Sequence, residues 1–335
     1  MAFDRRANLE AMVMKETSER IASLIANYRE GEVPAPDAAH VQRWIDQFPS
    51  AVREPLLAEV AHILEKTYIR KSTVKRFLKG VISHQDFVGN DPTSFWRGVQ
   101  FLKLQQVGNS QREMLSLLDV ALKETYDLSI DDCGADPHSF VYVDDAVFSG
   151  GRVKSDIQRW IETEAPNQAK VAVVVMAIHS LGEYFAGGDI KRAAAAKDKV
   201  IAVEWRRSMT IEDRKYYMST SDVLRPESIP VEAQAYVASL GAEPVLRTGS
   251  NKGSLGLFSS AESRTLVEQE FLKAGVQVRE RCKNLPAQMR PLGSTLMKTT
   301  GFGSMFVTYR NCANNTPLVL WAGDPWYPLF PRRTN

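Results

Sequence analysis

Cysteine is scarce in this chain. Cys133, Cys282 and Cys312 stand far apart in 335 residues. That spacing excludes a disulfide framework and a zinc motif of paired cysteines, and a reducing cytoplasm is the expected compartment. No apolar run is long enough for a transmembrane helix, so no membrane partner is expected. The amino terminus, Met1-Ala-Phe-Asp-Arg-Arg6, leads into a mixed helical pattern and lacks an apolar signal core. An excess of one charge is also missing. Lys and Arg number 42 and Asp and Glu 40, a formal net charge of +2. This excludes a global polyelectrolyte partner and confines any nucleic-acid surface to a local patch. No internal repeat or low-complexity tract is present. The chain is 44% apolar and 24% charged, which suits a globular protein with a sizeable core in one large or two ordinary domains.

The most informative stretch is Phe140-Val-Tyr-Val-Asp144-Asp145-Ala-Val-Phe-Ser149-Gly150-Gly151-Arg152. Phe140 to Val143 has no polar break and predicts a buried strand of a parallel sheet. Val153, Ile157, Trp160 and Ile161 follow at i, i+4, i+7 and i+8, one face of a helix. Asp144 and Asp145 then fall at the carboxyl end of a strand, where open α/β sheets bind ligands. Ser149, Gly150 and Gly151 fall at a helix N-terminus, where free N–H groups and the helix dipole favour a phosphate. A plainer alternative is a strand followed by a solvated acidic turn and an N-cap.

Residues 1 to 85 read as an N-terminal helical region. Ile21, Leu24, Ile25 and Tyr28 mark one apolar face, and Val41, Trp44, Ile45 and Phe48 another. Asp37 is placed to cap the second helix. Arg70 to Lys79 carries five cations and no acid; it is either a solvated helix face or a phosphate-binding patch. From residue 86 the pattern changes to alternating strands and helices, which predicts an α/β domain with a mostly parallel sheet and flanking helices. Phe95 to Leu104 reads as a strand. It runs into Gly108, Asn109, Ser110 and Gln111, with a capping box from Ser110 to Glu113 opening the next helix. Lys170 to His179 is the clearest buried strand. His179 at its end is either a satisfied strand-end histidine or a ligand. Gly187-Gly188-Asp189 reads as a turn and Lys199 to Trp205 as a further strand. Beyond about residue 206 the pattern loosens. The Thr248–Gly256 loop, flanked by Arg247 and Lys252, is rich in Gly and Ser. Phe258 to Ala274 reads as helix and Met305 to Tyr309 as strand. Asn311, Asn314 and Asn315 form either a hydrogen-bonded loop or an amide-lined pocket.

The Phe140–Arg152 stretch resembles the PRPP-binding loop of type I phosphoribosyltransferases. The resemblance implies that Asp144 and Asp145 hold the two ribose hydroxyls. Ser149, Gly150 and Gly151 would hold the 5′-phosphate, with Arg152 adding charge. It also implies that Gly108, Asn109, Ser110 and Gln111 form the pyrophosphate loop. Mg²⁺, held mainly through the substrate, is the implied cofactor, with no dedicated protein metal site. The chain departs from ordinary members in one respect. Only about 13 residues, Asp127 to Ser139, lie where those enzymes carry a long flexible catalytic loop.

The carboxyl-terminal Asn311-Cys-Ala-Asn314-Asn315-Thr-Pro-Leu318, the apolar run to Trp321, and Trp326-Tyr-Pro-Leu-Phe-Pro-Arg332 carry a second resemblance. Together with Val41–Phe48 and Gly108–Gln111, they look like the phosphoribosyltransferase-like effectors of bacterial conflict systems, some of them encoded in retrons. This implies residues 86–335 as the phosphoribosyltransferase-like domain, with a C-terminal hood or lid from about 206. It implies an antiviral effector acting on PRPP or a ribonucleotide at the ribose anomeric carbon. A reverse transcriptase with its nucleic acid is a partner this resemblance implies, and the amide-lined reading of Asn311, Asn314 and Asn315 would make them a pocket for a base. The alternative is a non-catalytic module that senses a nucleotide or scaffolds that complex.

Overall fold

The computed structural model describes residues 2–106, 108–214, 220–247, 255–282, 284–297 and 299–332. Helices α1 (Ala2–Ile25), α2 (Ala38–Ile45) and α3 (Arg53–Thr67) lead into strand β1 (Tyr68–Ile69) and helix α4 (Lys71–Ile82). Two short helices, α5 (Gln85–Val88) and α6 (Pro92–Arg97), precede strand β2 (Val99–Phe101). Helix and strand then alternate as α7 (Ser110–Tyr126), β3 (Ser139–Val147), α8 (Gly151–Thr163), β4 (Gln168–His179), α9 (Ser180–Ala195) and β5 (Val200–Ile211). Next come α10 (Val231–Ser239), α11 (Ala261–Arg281), β6 (Met289–Arg290), β7 (Gly293–Ser294), β8 (Val307–Thr308), β9 (Asn311–Cys312) and α12 (Leu318–Trp321). No helix among the described residues is long and apolar enough to cross a membrane.

The chain divides into two compact units. One is Ser72–Glu212; the other joins Met1–Lys71 to Asp213–Asn335. Ser72–Glu212 holds a four-stranded sheet in the order β2-β3-β4-β5, parallel throughout. The fold is α/β, as the alternation predicts. Parallel strands need crossovers, and α7, α8 and α9 supply them. Val171, Val173, Val175 and Ile178 of β4 pack with Phe140 and Tyr142 of β3 and with Ile157, Trp160 and Ile161 of α8. The Phe140 and Trp160 rings lie 4.9 Å apart. Burial on both faces explains the unbroken apolar runs of β3 and β4.

In the other unit, α1 packs on α2 and α3, and α11 on α3 and α12. Aromatic residues from both ends of the chain form its core. Trp44 and Trp326 both donate their indole N–H to the Val319 carbonyl, each at 2.8 Å. Phe330 packs edge-on to Tyr28, with ring centroids 5.0 Å apart. Asp37 caps α2 by accepting the His40 N–H at 2.7 Å. Arg247 pairs with the fully buried Glu268 at 3.0 Å. Residues 248–254 of the Gly/Ser loop lie outside the described residues.

Three local expectations change. Phe95–Arg97 is helical rather than extended, because Asp91 caps α6 with Pro92 in its first turn and accepts the Ser94 N–H at 3.0 Å. Gly187 and Gly188 continue α9 instead of turning. Helix α7 is not opened by a capping box. Asn109 is its N-cap and makes no side-chain cap.

Candidate functional site

Strand β3 is an interior strand, and the acidic pair lies within it, ahead of Ala146 and Val147. Asp144 pairs in register with Val175, and Ala146 with Ala177. Asp144 is buried and Asp145 half-buried. Each carboxylate is oriented by the backbone just after it. Asp145 N–H donates to Asp144 Oδ1 at 2.9 Å, and Ala146 N–H donates to Asp145 Oδ1 at 2.8 Å. Ionised carboxylates held this way accept further hydrogen bonds from hydroxyls.

The loop from Phe148 to Gly150 turns directly into α8. Gly150 is its N-cap, at φ +76°, in the left-handed region open to glycine. A Cβ on Gly150 would lie 2.4 Å from the Gly182 carbonyl oxygen and 2.9 Å from Ala186 Cβ. A Cβ on Gly182 would overlap the Phe148 carbonyl oxygen. Two glycines thus let the loop settle onto the first turns of α9. His179 reinforces the contact. It is fully buried, its Nδ1 lies 3.0 Å from the Val147 carbonyl, and its ring stacks on Phe148. A carbonyl only accepts, so Nδ1 carries the proton. This is the satisfied strand-end histidine among the two readings of His179.

Gly151 behaves differently. It is exposed, and a Cβ there would meet only the Ser149 hydroxyl, at 3.5 Å. Ser149 Oγ accepts the Gly151 N–H at 3.4 Å. First-turn N–H groups have no acceptor within their own helix, and the helix dipole adds positive potential. The start of α8 is therefore sterically open and electropositive, with Arg152 in its first turn.

Strand β2 lies beside β3, and its own crossover follows at the same carboxyl edge of the sheet. Gly108 there has φ +98°; Val107 is outside the described residues. The end of this loop is filled by its own side chains. Gln105 Oε1 accepts the Gln111 N–H at 3.0 Å, and Gln111 Oε1 accepts the Gln105 N–H at 2.9 Å. Gln105 Nε2 donates to Ser110 Oγ at 2.9 Å. This exchange replaces the expected capping box. Gly108 and Asn109 are exposed, whereas Ser110 and Gln111 are buried.

A PRTase-CE family model matches residues 41–332. The chain belongs to the PRTase-CE family. It is accordingly a phosphoribosyltransferase-like protein, and the parallel sheet with its β3–α8 loop fits that description. Comparison with curated proteins and with solved structures gives no match.

The PRTase-CE sheet also carries polar residues that no local motif signals. Tyr142, just before the acidic pair, donates its hydroxyl to Asp156 Oδ2 of α8 at 2.9 Å. Arg159 contacts Asp156 Oδ1 at 3.4 Å and donates to the Leu104 carbonyl at 2.5 Å. Burial, then the Asp144 and Asp156 charges, push the Tyr142 hydroxyl well above its ordinary pKa, so it remains a donor. Burial also pushes the Asp156 carboxyl up, against Tyr142, Arg152 and Arg159. This chain ties the segment after β2 to β3 through α8. Only the aromatic-in-strand position and the i, i+3 spacing of Asp156 and Arg159 hint at it in sequence.

Asn311, Asn314 and Asn315 belong to the other unit of the PRTase-CE chain. Asn315 Nδ2 donates to the Ser294 carbonyl at 3.1 Å, and Asn314 Oδ1 accepts from Arg332 Nη1 at 2.6 Å. Asn311 N–H donates to Thr308 Oγ1 at 3.2 Å within the β8–β9 turn. Asn314 also lines a cavity of about 750 Å³ with Trp321, Arg281 and Arg332. The Arg332 guanidinium covers the Trp321 ring at 3.6 Å.

Proposed function

We propose that this chain binds a ribose 5-phosphate ligand, PRPP or a ribonucleotide, on the β3–α8 loop and acts at its anomeric carbon. One observation carries the reading. Two oriented carboxylates lie in the last four residues of an interior parallel strand, and a short loop, Phe148 to Gly150, leads from that strand to a glycine-opened helix N-terminus. Asp144 and Asp145 accept from the ribose hydroxyls. Ser149, Gly151 and Arg152 take the 5′-phosphate, and Gly150 shapes the turn. Gly108 and Asn109 face the leaving pyrophosphate or its equivalent. The bond from C1 to the leaving group breaks with its electron pair going to that group, and an acceptor nucleophile forms the new bond to C1. Positioning and charge stabilisation supply the rate.

Mg²⁺ is the metal this reading implies. Asp144 and Asp145 offer hard oxygen donors, which suit it. Among the described residues, no three His, Cys, Asp or Glu side chains gather into a metal site. Ligand phosphate oxygens would hold most of its coordination sphere, and the ion would neutralise charge on the leaving group. The carboxyl-terminal motifs support a role as an effector of bacterial antiviral defence, a retron toxin among them, partnered by a reverse transcriptase and its nucleic acid.

A second reading has its own support. Residues 127–138 hold one 3-10 turn, Ile130–Asp132, and no long loop. A site without a catalytic loop suits a nucleotide-sensing or scaffolding module. Incubation with PRPP, NAD and nucleotides, with and without Mg²⁺, separates the two: turnover supports the enzyme, and binding without turnover supports the module. Asp144→Asn combined with Asp145→Asn should reduce PRPP affinity at least a hundredfold while leaving the cooperative melt in place. A double variant that binds PRPP like the wild type would sink the ribose assignment.

A further inference from the structure

Strand β5 ends the β2-β3-β4-β5 sheet on one side, and among the described residues no strand lies beyond it. It pairs with β4 in one unbroken register, from Gln168 with Val200 to His179 with Ile211. The Val200 N–H donates to the Asn167 carbonyl at 2.7 Å. Val200 and every second residue after it therefore aim their backbone groups at the β4 side. Ile201, Val203, Trp205, Arg207 and Met209 aim theirs at the open edge. Natural edge strands are short, bulged, or interrupted by Pro or Lys, which keeps other strands off. Strand β5 runs for 12 residues without a bulge, and Val200–Ile211 holds neither Pro nor Lys.

The two faces of β5 differ. Val203 and Trp205 pack on the core that includes Ala186 and Ile190 of α9, and Arg207 pairs with Glu183 of α9 at 2.8 Å. On the opposite face Val200 is 67% exposed, and Ala202, Glu204, Ser208 and Thr210 are exposed as well. Glu204 and Arg206 form an ion pair there, two residues apart on one strand. The Arg206 guanidinium rests on the Phe87 ring, 4.4 Å from its centroid. An acid and a cation thus stand side by side at the middle of the open edge.

We infer that the β5 edge is a docking surface for a second copy of this chain, joined antiparallel across a two-fold axis so that two four-stranded sheets become one. A strand pairing with its own copy must match outward residues with outward residues. Setting Trp205 opposite Trp205 of the second copy does this. Ile201 then meets Met209 and Val203 meets Arg207, each pair exchanging backbone hydrogen bonds. Glu204 stands opposite Arg206 of the second copy, in the non-hydrogen-bonded pairing that brings side chains closest. The two-fold axis repeats that pair, so two acids and two cations alternate around a square. Sliding the partner by two residues sets Glu204 against Glu204, or Arg206 against Arg206, and like charges directly opposite repel. Charge therefore selects one register. The inference stands independently of the role proposed for Asp144 and Asp145.

Analytical ultracentrifugation of the full chain reads the association. The wild type should form a dimer with a Kd below about 100 μM. Glu204→Arg sets Arg against Arg206 at both symmetry-related positions and should raise that Kd about tenfold or more. Its side chain is 55% exposed, so the fold should survive, as circular dichroism would show. Arg206→Glu sets Glu against Glu204 and should weaken the dimer similarly. A mixture of the two variants brings a strand with two cations against a strand with two acids. It should form a one-to-one heterodimer tighter than either variant's own dimer. A wild type that stays monomeric at about 300 μM would overturn the inference. So would a dimer whose Kd Glu204→Arg leaves unchanged, or two folded variants that stay apart when mixed. Any of these failures leaves the β3–α8 reading untouched, since that reading is tested by PRPP and by different residues.

Discussion

The β2–α7 and β3–α8 crossovers share one design and diverge in one detail. Each runs from a parallel strand through a loop with a left-handed glycine, Gly108 or Gly150, into a helix N-terminus at the carboxyl edge of the sheet. In the first, the chain fills its own helix end: Gln105 takes the Gln111 N–H and holds Ser110. In the second, the loop is fixed from behind, by Gly150 against Gly182 and by His179 under Phe148, and Gly151 faces open space. Similar topology therefore does not make equal sites. At α8 the protein's own hold on the Gly151 N–H is the long 3.4 Å contact with Ser149 Oγ, which an anion can replace, whereas at α7 the Gln105 carboxamide takes the Gln111 N–H at 3.0 Å.

The largest effect on this contrast should come from behind the loop. Gly182→Val places a side chain into the Phe148 carbonyl. We expect a loss of about 1–3 kcal/mol by overpacking, read in urea unfolding, together with loss of PRPP binding. Unchanged stability would mean that the loop is not seated on α9.

Uncapping the other crossover should cost less. Gln105→Ala removes the acceptor of the Gln111 N–H and the donor to Ser110 Oγ. A loss of about 1–2 kcal/mol is expected, with faster amide exchange at Gln111. Exchange as slow as in the wild type would show that the cap is dispensable.

Ser149→Ala should be the mildest. It removes a hydroxyl that accepts the Gly151 N–H at 3.4 Å. We expect PRPP affinity to fall about tenfold, near 1 kcal/mol, with the melting temperature unchanged within about 2 °C.

How much of this could be read from the residues depends on whether the signal was local. Strands β3 and β4 were legible because burial on both faces demands continuous Val, Ile and aromatic residues. Helix α8 was legible from Val153, Ile157, Trp160 and Ile161. Around Phe95 the apolar run hid a helix, since Asp91 and Pro92 begin one only when their cap geometry forms. Gly187 and Gly188 resemble a turn by composition, yet the packing of α9 on the sheet overrides that preference. The acidic pair and the glycines were plain as a motif. The distinct duties of Gly150 and Gly151 were not, because Gly182 lies about thirty residues away in the chain. The link from Tyr142 through Asp156 and Arg159 to Leu104, and the amide exchange between Gln105 and Gln111, are tertiary contacts that no periodicity encodes.

The contrast between the two helix ends meets its most direct test at Gly151. Its added side chain would find room in the folded chain, where a Cβ approaches only Ser149 Oγ at 3.5 Å. The same side chain would occupy the space a phosphate needs against the first-turn N–H groups of α8. Calorimetric titration of PRPP into wild type and Gly151→Val should show saturable binding to the first and none to the second, with both chains equally folded by circular dichroism. Equal affinity for the two would contradict the account and remove the phosphate from the start of α8.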